Sequence, residues 1–500
     1  READFVKGLT DMLALWVVEE LKDVNLEDKR LNDRMAEVLG QLGGHPSASI
    51  PAACTGWAET LAAYRLFDNK NESIEKLLEP HIEASYRRIK EHPVVLLAQD
   101  TTEIDLTRPE REVLGAGPLD DGSRSGAMLH PLIGFTPEGT PLGTVYAEAW
   151  VRDEVPAEPM TKEEKQYDRT HTAIEEKESI RWVDTLSQAQ NVAEHAPQTQ
   201  CICVADSEAD IYEFLELGQQ SSVDWIVRAC QNRALKKTRK PEDADRDPTS
   251  HLCQRVLATD CLFTNDIHVR GRKSKVPSDK RGRKQSRESR DATVEVRAAA
   301  VELRAPWRHD RRLQDITVNV VLVTEVDPPE DEIPVEWMLL TSLPTNGVDQ
   351  VRAVIQYYTV RWMIEVYFRT LKSSCRVEER QFETIDRALN SLAIYMIVAW
   401  RALMVCRISR EYPDQSCEAI FEPEEWKSVY YVVHQQPPPD EPPTLKAMTR
   451  MLGQLGGYVD RVREDEPGPQ TVAIGLQRAH DITQCWVLFG PEARNQQTCV

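Results

Sequence analysis

Apolar residues recur at helical spacing through the first eighty residues. They run from Leu15 to Leu21, then through Leu31, Met35, Val38, Leu39 and Leu42, with further helices predicted over 57–67 and about 73–90. Gly43-Gly44 is expected to stop the second helix. From Pro93 the pattern changes to short β-type runs at 94–100, 128–136 and 141–150. A charged helix near 175–195 follows, then a buried strand in 201–210 that ends in acidic residues. Alternating strand and helix argues for an α/β core. The stretch from Leu235 to Leu343 interrupts that alternation with β-type segments at 293–303, 316–326 and 336–343, which predicts a β-rich insertion. Long helices return over about 350–410, and the Pro-rich 435–443 predicts a break before a last helical piece. No internal repeat is visible.

A chain of 500 residues is long enough for roughly two to four domains. With 41% hydrophobic and 29% charged residues it reads as globular rather than membrane-embedded. Its most apolar stretch, Leu392 to Val405, contains Arg401 and falls short of the roughly 20 residues that span a bilayer. No segment reads as a signal peptide. Eleven cysteines, an odd set with no CxxC pair, argue for reduced thiols in a cytosolic protein, with Cys201 and Cys203 in the core. The net charge of -21 argues against general affinity for nucleic acid. The distribution changes that picture, because 270–290 holds ten Lys/Arg, including Arg281, Arg283 and Lys284, against only Asp279 and Glu288. Lys236, Lys237, Arg239 and Lys240 precede it. The run reads either as a solvated loop or as a phosphate-contacting segment that releases counterions.

Two candidate carboxylates end buried apolar runs: Asp100, followed by two threonines, and Asp206, with Glu208 and Asp210 nearby. Strand ends are where α/β sheets hold ligands, although either Asp could simply cap a helix or form a turn. A stronger signal is YYTVRWMIEVYFRTLK at 357–372. On a regular helix Tyr358, Arg361, Glu365 and Lys372 fall within about 60° of one another, a polar line about 21 Å long, with Met363, Ile364, Val366, Tyr367 and Leu371 opposite. A solvated face with an Arg361–Glu365 pair, extended by Arg369, would give the same pattern.

The spacing Y-x2-R-x3-E-x6-K resembles the signature of bacterial DDE-superfamily transposases of insertion-sequence family four. LLAQDTT resembles that family's first-Asp strand and VADSEADIYEFL its second-Asp strand, while KESIRW, LEDKRLNDRM and GWAETLAAYRLF are also similar. The resemblance implies an α/β, ribonuclease H-like catalytic core with a β-rich insertion, flanked by helical N-terminal and C-terminal domains. It implies end recognition by 1–80, catalysis by 81–410 with the insertion at about 235–343, and dimerisation through 411–500. Asp100, Asp206 and Glu365 would be the catalytic triad, holding two Mg²⁺ ions, or Mn²⁺ in their place, as hard cations with oxygen ligands. Tyr358, Arg361 and Lys372 would grip phosphates, Arg228 would contact DNA and Trp337 would stack on a flipped base beside a DNA hairpin. The implied activity is cut-and-paste cleavage and strand transfer in the bacterial cytoplasm. The partners would be double-stranded terminal inverted repeats, target DNA and a second copy in the synaptic complex, with no membrane. Two alternatives are a catalytically silent DNA-binding descendant and a nuclease of the same fold without end specificity.

Overall fold

A computed structural model describes residues 14–491 apart from 55, 109–110, 120–122, 154–160, 237–249, 270, 272–287, 331 and 460–465. The chain divides into two compact units that are interleaved in sequence. Unit 1 takes Arg1–Pro159, His195–Thr199 and Trp362–Val500; unit 2 takes Met160–Glu194 and Gln200–Arg361.

Unit 1 opens with helices Leu15–Glu20, Lys29–Gly44, Trp57–Phe67 and Ile74–Ile89, close to the predicted set. Asp28 caps the second of these by accepting from the Arg30 N–H at 2.8 Å. The helix ends at the predicted glycine pair, with Gly44 its last residue and His45 its C-cap. The lack of a side chain at both positions also serves close approach. A Cβ on Gly43 would sit 2.6 Å from the Trp16 ring, and one on Gly44 2.8 Å from His480.

The strands of unit 1 are β1 (Val94–Gln99), β2 (Thr102–Asp105), β3 (Gly117–Pro118), β4 (Ser125–Phe135) and β5 (Pro141–Trp150). All pair antiparallel with the long β4. The register sets Gln99 opposite Leu132 and Thr102 opposite Leu129, so β4 bridges the two strands that flank Asp100 and Thr101. Helix Ile385–Glu411 runs through this unit. Its 27 residues make it long and apolar enough to cross a membrane, which corrects the shorter span read from sequence. Its most apolar window is 89% buried inside the fold, so the apolar run is accounted for by core packing.

Helices Pro423–His434, Leu445–Leu455 and Pro469–Phe489 complete unit 1. Trp426, Val429, Met448, Leu452 and Val472 join Val405 and Cys406 in one buried cluster. The Pro-rich 435–443 therefore connects two helices of a single core rather than separating bodies. The first of those helices stops because Gln435 adopts a left-handed conformation, φ 53°. Gly475 lets the last helix approach its neighbour, since a Cβ there would lie 2.0 Å from the Leu452 carbonyl oxygen. Gly475→Ala should force these helices apart and cost about 1–3 kcal/mol, read as a lowered thermal midpoint. The ten cysteines among the described residues are free thiols, and Cys201 and Cys203 are buried as expected.

Unit 2 contains β6 (Gln200–Ala205) and β7 (Asp224–Arg228), parallel and joined by helix Tyr212–Gln220. Both strands are apolar on both faces, as parallel strands require. The β-rich insertion is present as β8 (Phe263–Val269), β9 (Arg290–Leu303), β10 (Ile316–Glu325) and β11 (Glu336–Thr341). It is not a separate sheet. The insertion's last strand, β11, pairs antiparallel with β7, and the order β6-β7-β11-β10-β9-β8 makes one continuous ladder. Helix Val348–Val360 closes the unit.

Candidate active site

In unit 1, Asp100 follows β1 and is half-buried. The Thr101 N–H donates to Asp100 Oδ1 at 2.8 Å, which fixes one carboxylate oxygen. The Thr101 hydroxyl lies 2.7 Å from His130 Nδ1, and His130 Nε2 lies 3.1 Å from Gln99 Oε1. Glu365 is half-buried on helix Trp362–Arg369, which Ile364, Tyr367 and Phe368 pin to the core. The Tyr367 hydroxyl donates to the Met396 carbonyl at 3.1 Å. Beyond Glu365 the helix widens into a π-helical turn, Thr370–Ser374, that carries Lys372. The regular 3.6-residue period that put Lys372 on the polar line does not hold across that turn. The Lys372 ammonium donates to the Glu103 carbonyl and pairs with Glu378 at 3.1 Å, so its charge is already partnered beside β2.

In unit 2, Asp206 follows β6 and caps the short turn Ser207–Ala209, its Oδ1 accepting from the Glu208 N–H at 2.7 Å. Capping was one of the two readings of this residue, and it leaves Asp206 half-buried at the strand end. Arg228 ends β7 and donates to the Glu336 carbonyl at 3.3 Å, next to Trp337. The half-buried Trp337 ring meets the Tyr358 ring edge-on, centroids 5.6 Å apart at 70°, and the Arg361 guanidinium lies 5.9 Å from the same Tyr358 ring. Tyr358 is only 6% exposed, so it does not belong to an open polar face. Burial pushes its phenol up and Asp206 adds to that, while Arg361 and Arg228 oppose it. At neutral pH the phenol therefore keeps its proton and can donate it in a hydrogen bond. Unit 2 thus brings Asp206, Arg228, Trp337, Tyr358 and Arg361 into one electrostatic neighbourhood from four separate segments.

Sequence reasoning gave no role to Asp210. It is buried, its Oδ2 accepts from the N–H groups of Cys230 and Gln231 at 2.8 and 3.0 Å, and its Oδ1 pairs with Arg233 at 2.5 Å. It ties the Asp206 turn to the segment beyond Arg228. The available signal was its position after a helical turn in ADSEAD. Lys236 pairs with Glu302 at 2.6 Å, and Lys237, Arg239, Lys240, Arg281, Arg283 and Lys284 lie outside the described residues.

Three carboxylates offer only oxygen donors, a set that fits hard divalent cations. Backbone N–H groups fix one oxygen of Asp100 and one of Asp206. Among the described residues no three His, Cys, Asp or Glu side chains are grouped closely enough to hold a metal ion, so the fit rests on donor chemistry and on the strand-end positions of Asp100 and Asp206.

Three family models match the chain. Residues 14–71 match a transposase DNA-binding model, 157–401 a transposase DDE domain and 397–485 a transposase Tn5 dimerisation domain. Asp206 and Glu365 fall within the second match, whereas Asp100 lies upstream of it.

Proposed function

The chain belongs to the DDE-type transposases of insertion-sequence family four, with a ribonuclease H-like fold, and from that premise we propose that it cuts both strands at its element's ends and joins them to target DNA. The observation that carries this reading is the convergence of Asp206, Arg228, Trp337, Tyr358 and Arg361 in unit 2, residues that the signature and its flanking motifs pick out.

In this reading Asp100, Asp206 and Glu365 would hold divalent cations, Mg²⁺ or Mn²⁺. Bound there, such ions supply activation of the attacking oxygen and stabilisation of the leaving oxygen in an in-line phosphoryl displacement. Arg361 and Arg228 hold the DNA phosphate by charge and by forked donors, and the neutral Tyr358 phenol adds a hydrogen bond from the wall beside them. Trp337, held edge-on by Tyr358, offers its face to an extruded base and so supports a tightly bent hairpin. Lys372 serves through Glu103 and Glu378, steadying β2 next to Asp100. Residues 1–80 recognise the ends, 81–410 carry the chemistry with the insertion at about 235–343, and 411–500 pair two copies on DNA in the cytoplasm.

The test is cleavage of a supercoiled plasmid carrying the flanking terminal repeats with Mg²⁺ added. Breaks confined to the repeat ends support the transposase. Binding without cutting would favour the silent DNA-binding descendant, and breaks scattered along the plasmid a nuclease without end specificity. Replacing Arg281, Arg283 and Lys284 together by Ala should weaken DNA binding and flatten the plot of log affinity against log salt by up to about 2.7, since each lost phosphate contact removes about 0.9. An unchanged slope would remove these residues from the DNA interface.

A further inference from the structure

We propose that His130 is a positioning residue that holds the carboxylate of Asp100 through Thr101, at the end of a chain Gln99–His130–Thr101–Asp100 whose first two members are fully buried. The inference rests on reading Asp100 as a metal ligand and adds the residues that keep it in place.

His130 sits within β4, where all but the first of the eleven residues are buried, and it is itself fully buried. An imidazole there is costly unless its nitrogens find partners, and an apolar side chain would be the simpler choice for that strand. Both nitrogens are engaged. Nε2 lies 3.1 Å from Oε1 of Gln99, which is also fully buried, and Nδ1 lies 2.7 Å from the Thr101 hydroxyl. Because Nε2–H donates to the amide oxygen, the neutral ring presents Nδ1 as an acceptor and the Thr101 hydroxyl donates to it. The tautomer is thus set from the core side, as in the outer shell of a metal site.

The strand register explains why the chain ends where it does. Leu132 of β4 pairs with Gln99 of β1, and Leu129 pairs with Thr102 of β2. His130 therefore lies along β4 between the two anchor points, opposite the Asp100–Thr101 link that joins the strands. Its bond fixes the Thr101 side chain against the sheet and so fixes the peptide whose N–H donates to Asp100 Oδ1 at 2.8 Å. Polar groups that break a strand's apolar pattern and are fully satisfied are a mark of supported functional sites.

The test uses the full-length chain and Mn²⁺ alone, with binding followed by water-proton relaxation and folding by the thermal midpoint in metal-free buffer. Asn at 130 places an amide oxygen near the position of Nδ1, whereas Gln reaches the position of Nε2 and leaves Thr101 without its acceptor. His130→Gln and Thr101→Val should weaken Mn²⁺ binding about 10–100-fold. His130→Asn and Thr101→Ser should stay close to the parent chain. Equal weakening by His130→Asn and His130→Gln, or a Thr101→Val chain that binds Mn²⁺ like the parent, overturns the positioning role. So does a set of variants that shifts only the thermal midpoint. Thr101→Val keeps the test open if His130→Gln fails to fold. A parent chain that binds no Mn²⁺, or an Asp100→Asn chain that binds it unchanged, instead overturns the reading of Asp100 as a ligand.

Discussion

Glu365→Gln should abolish cleavage at the element's ends while leaving end binding intact. The substitution keeps the side chain's size and removes its charge, and Ile364, Tyr367 and Phe368 bury the inner face of the helix that carries it, so the binding assay and the thermal midpoint separate lost chemistry from lost folding. Loss of a single transition-state donor typically costs 10²–10³ in rate, and removing one of three proposed cation ligands should cost at least the upper value, about 10³-fold or about 4 kcal/mol in the barrier. The measurement is plasmid cleavage with Mg²⁺, beside a binding assay on the terminal repeats. A Glu365→Gln chain that cuts as well as its parent would place the active site elsewhere.

The largest loss of stability should come from Arg88→Ala. Glu20 is 3% exposed and accepts from both terminal guanidinium nitrogens of Arg88, Nη1 and Nη2, at 2.9 and 3.0 Å, as well as from the His81 ring N–H. Arg88 also lies over the Trp400 ring at 4.2 Å. Removing Arg88 leaves a buried carboxylate without its cation, which costs about 3–5 kcal/mol and should appear as an earlier denaturant transition.

The same group makes stability depend on acid. Burial would raise the Glu20 carboxyl, but the hydrogen bond from the neutral His81 ring and the charge of Arg88 outweigh it and hold the carboxyl down to about 2. Burial pushes the His81 imidazole down despite Glu20, and its Nε2 accepts the Thr144 N–H at 3.0 Å, which marks the ring as neutral. Below about pH 6.5 the unfolded His81 takes up a proton that the folded site refuses, so stability falls. A second decline follows as pH drops from the ordinary carboxyl value of 4.5 toward about 2, where Glu20 is protonated in the folded chain as well. Thermal midpoints across pH 3–8 should show the decline, and Arg88→Ala should shift its lower part to higher pH.

Much of the fold was legible because local pattern and tertiary role agree. The run 141–150 is a strand with the predicted bounds, and the segments at 293–303, 316–326 and 336–343 are strands as expected. The misreadings occur where a residue's role is set from outside its own segment. Gly43 and Gly44 end their helix as read, but the room they also make for Trp16 and His480, the latter more than four hundred residues away, was not legible. Tyr358 looks like part of an open face because of its hydroxyl, but its ring is packed against Trp337. Lys372 is displaced by a wide turn that a helical wheel cannot anticipate. Of the candidate site, the placement of Asp100 and Asp206 at the ends of buried strands could be read from the sequence. His130 and Asp210 could not, because a buried polar residue declares itself only through its partners.

The interleaving of the two units has a consequence during synthesis. Residues 14–71 rest on late parts of the chain: Asn390 donates to the Phe67 carbonyl at 3.0 Å, Arg387 pairs with Asp68 at 2.7 Å and Arg401 lies over Trp16 at 4.7 Å. Unit 2 is complete once Arg361 has been made, whereas unit 1 needs the stretch from Trp362 to Val500. At roughly 5–20 residues per second the ribosome takes about 7–28 s to deliver that last stretch. Throughout that interval all of the unit 2 sequence has been made, while the N-terminal helices still lack their late partners. This early segment is among the last to find its native contacts, and a chain terminated before Trp362 carries the DNA-binding sequence without the scaffold that shapes it.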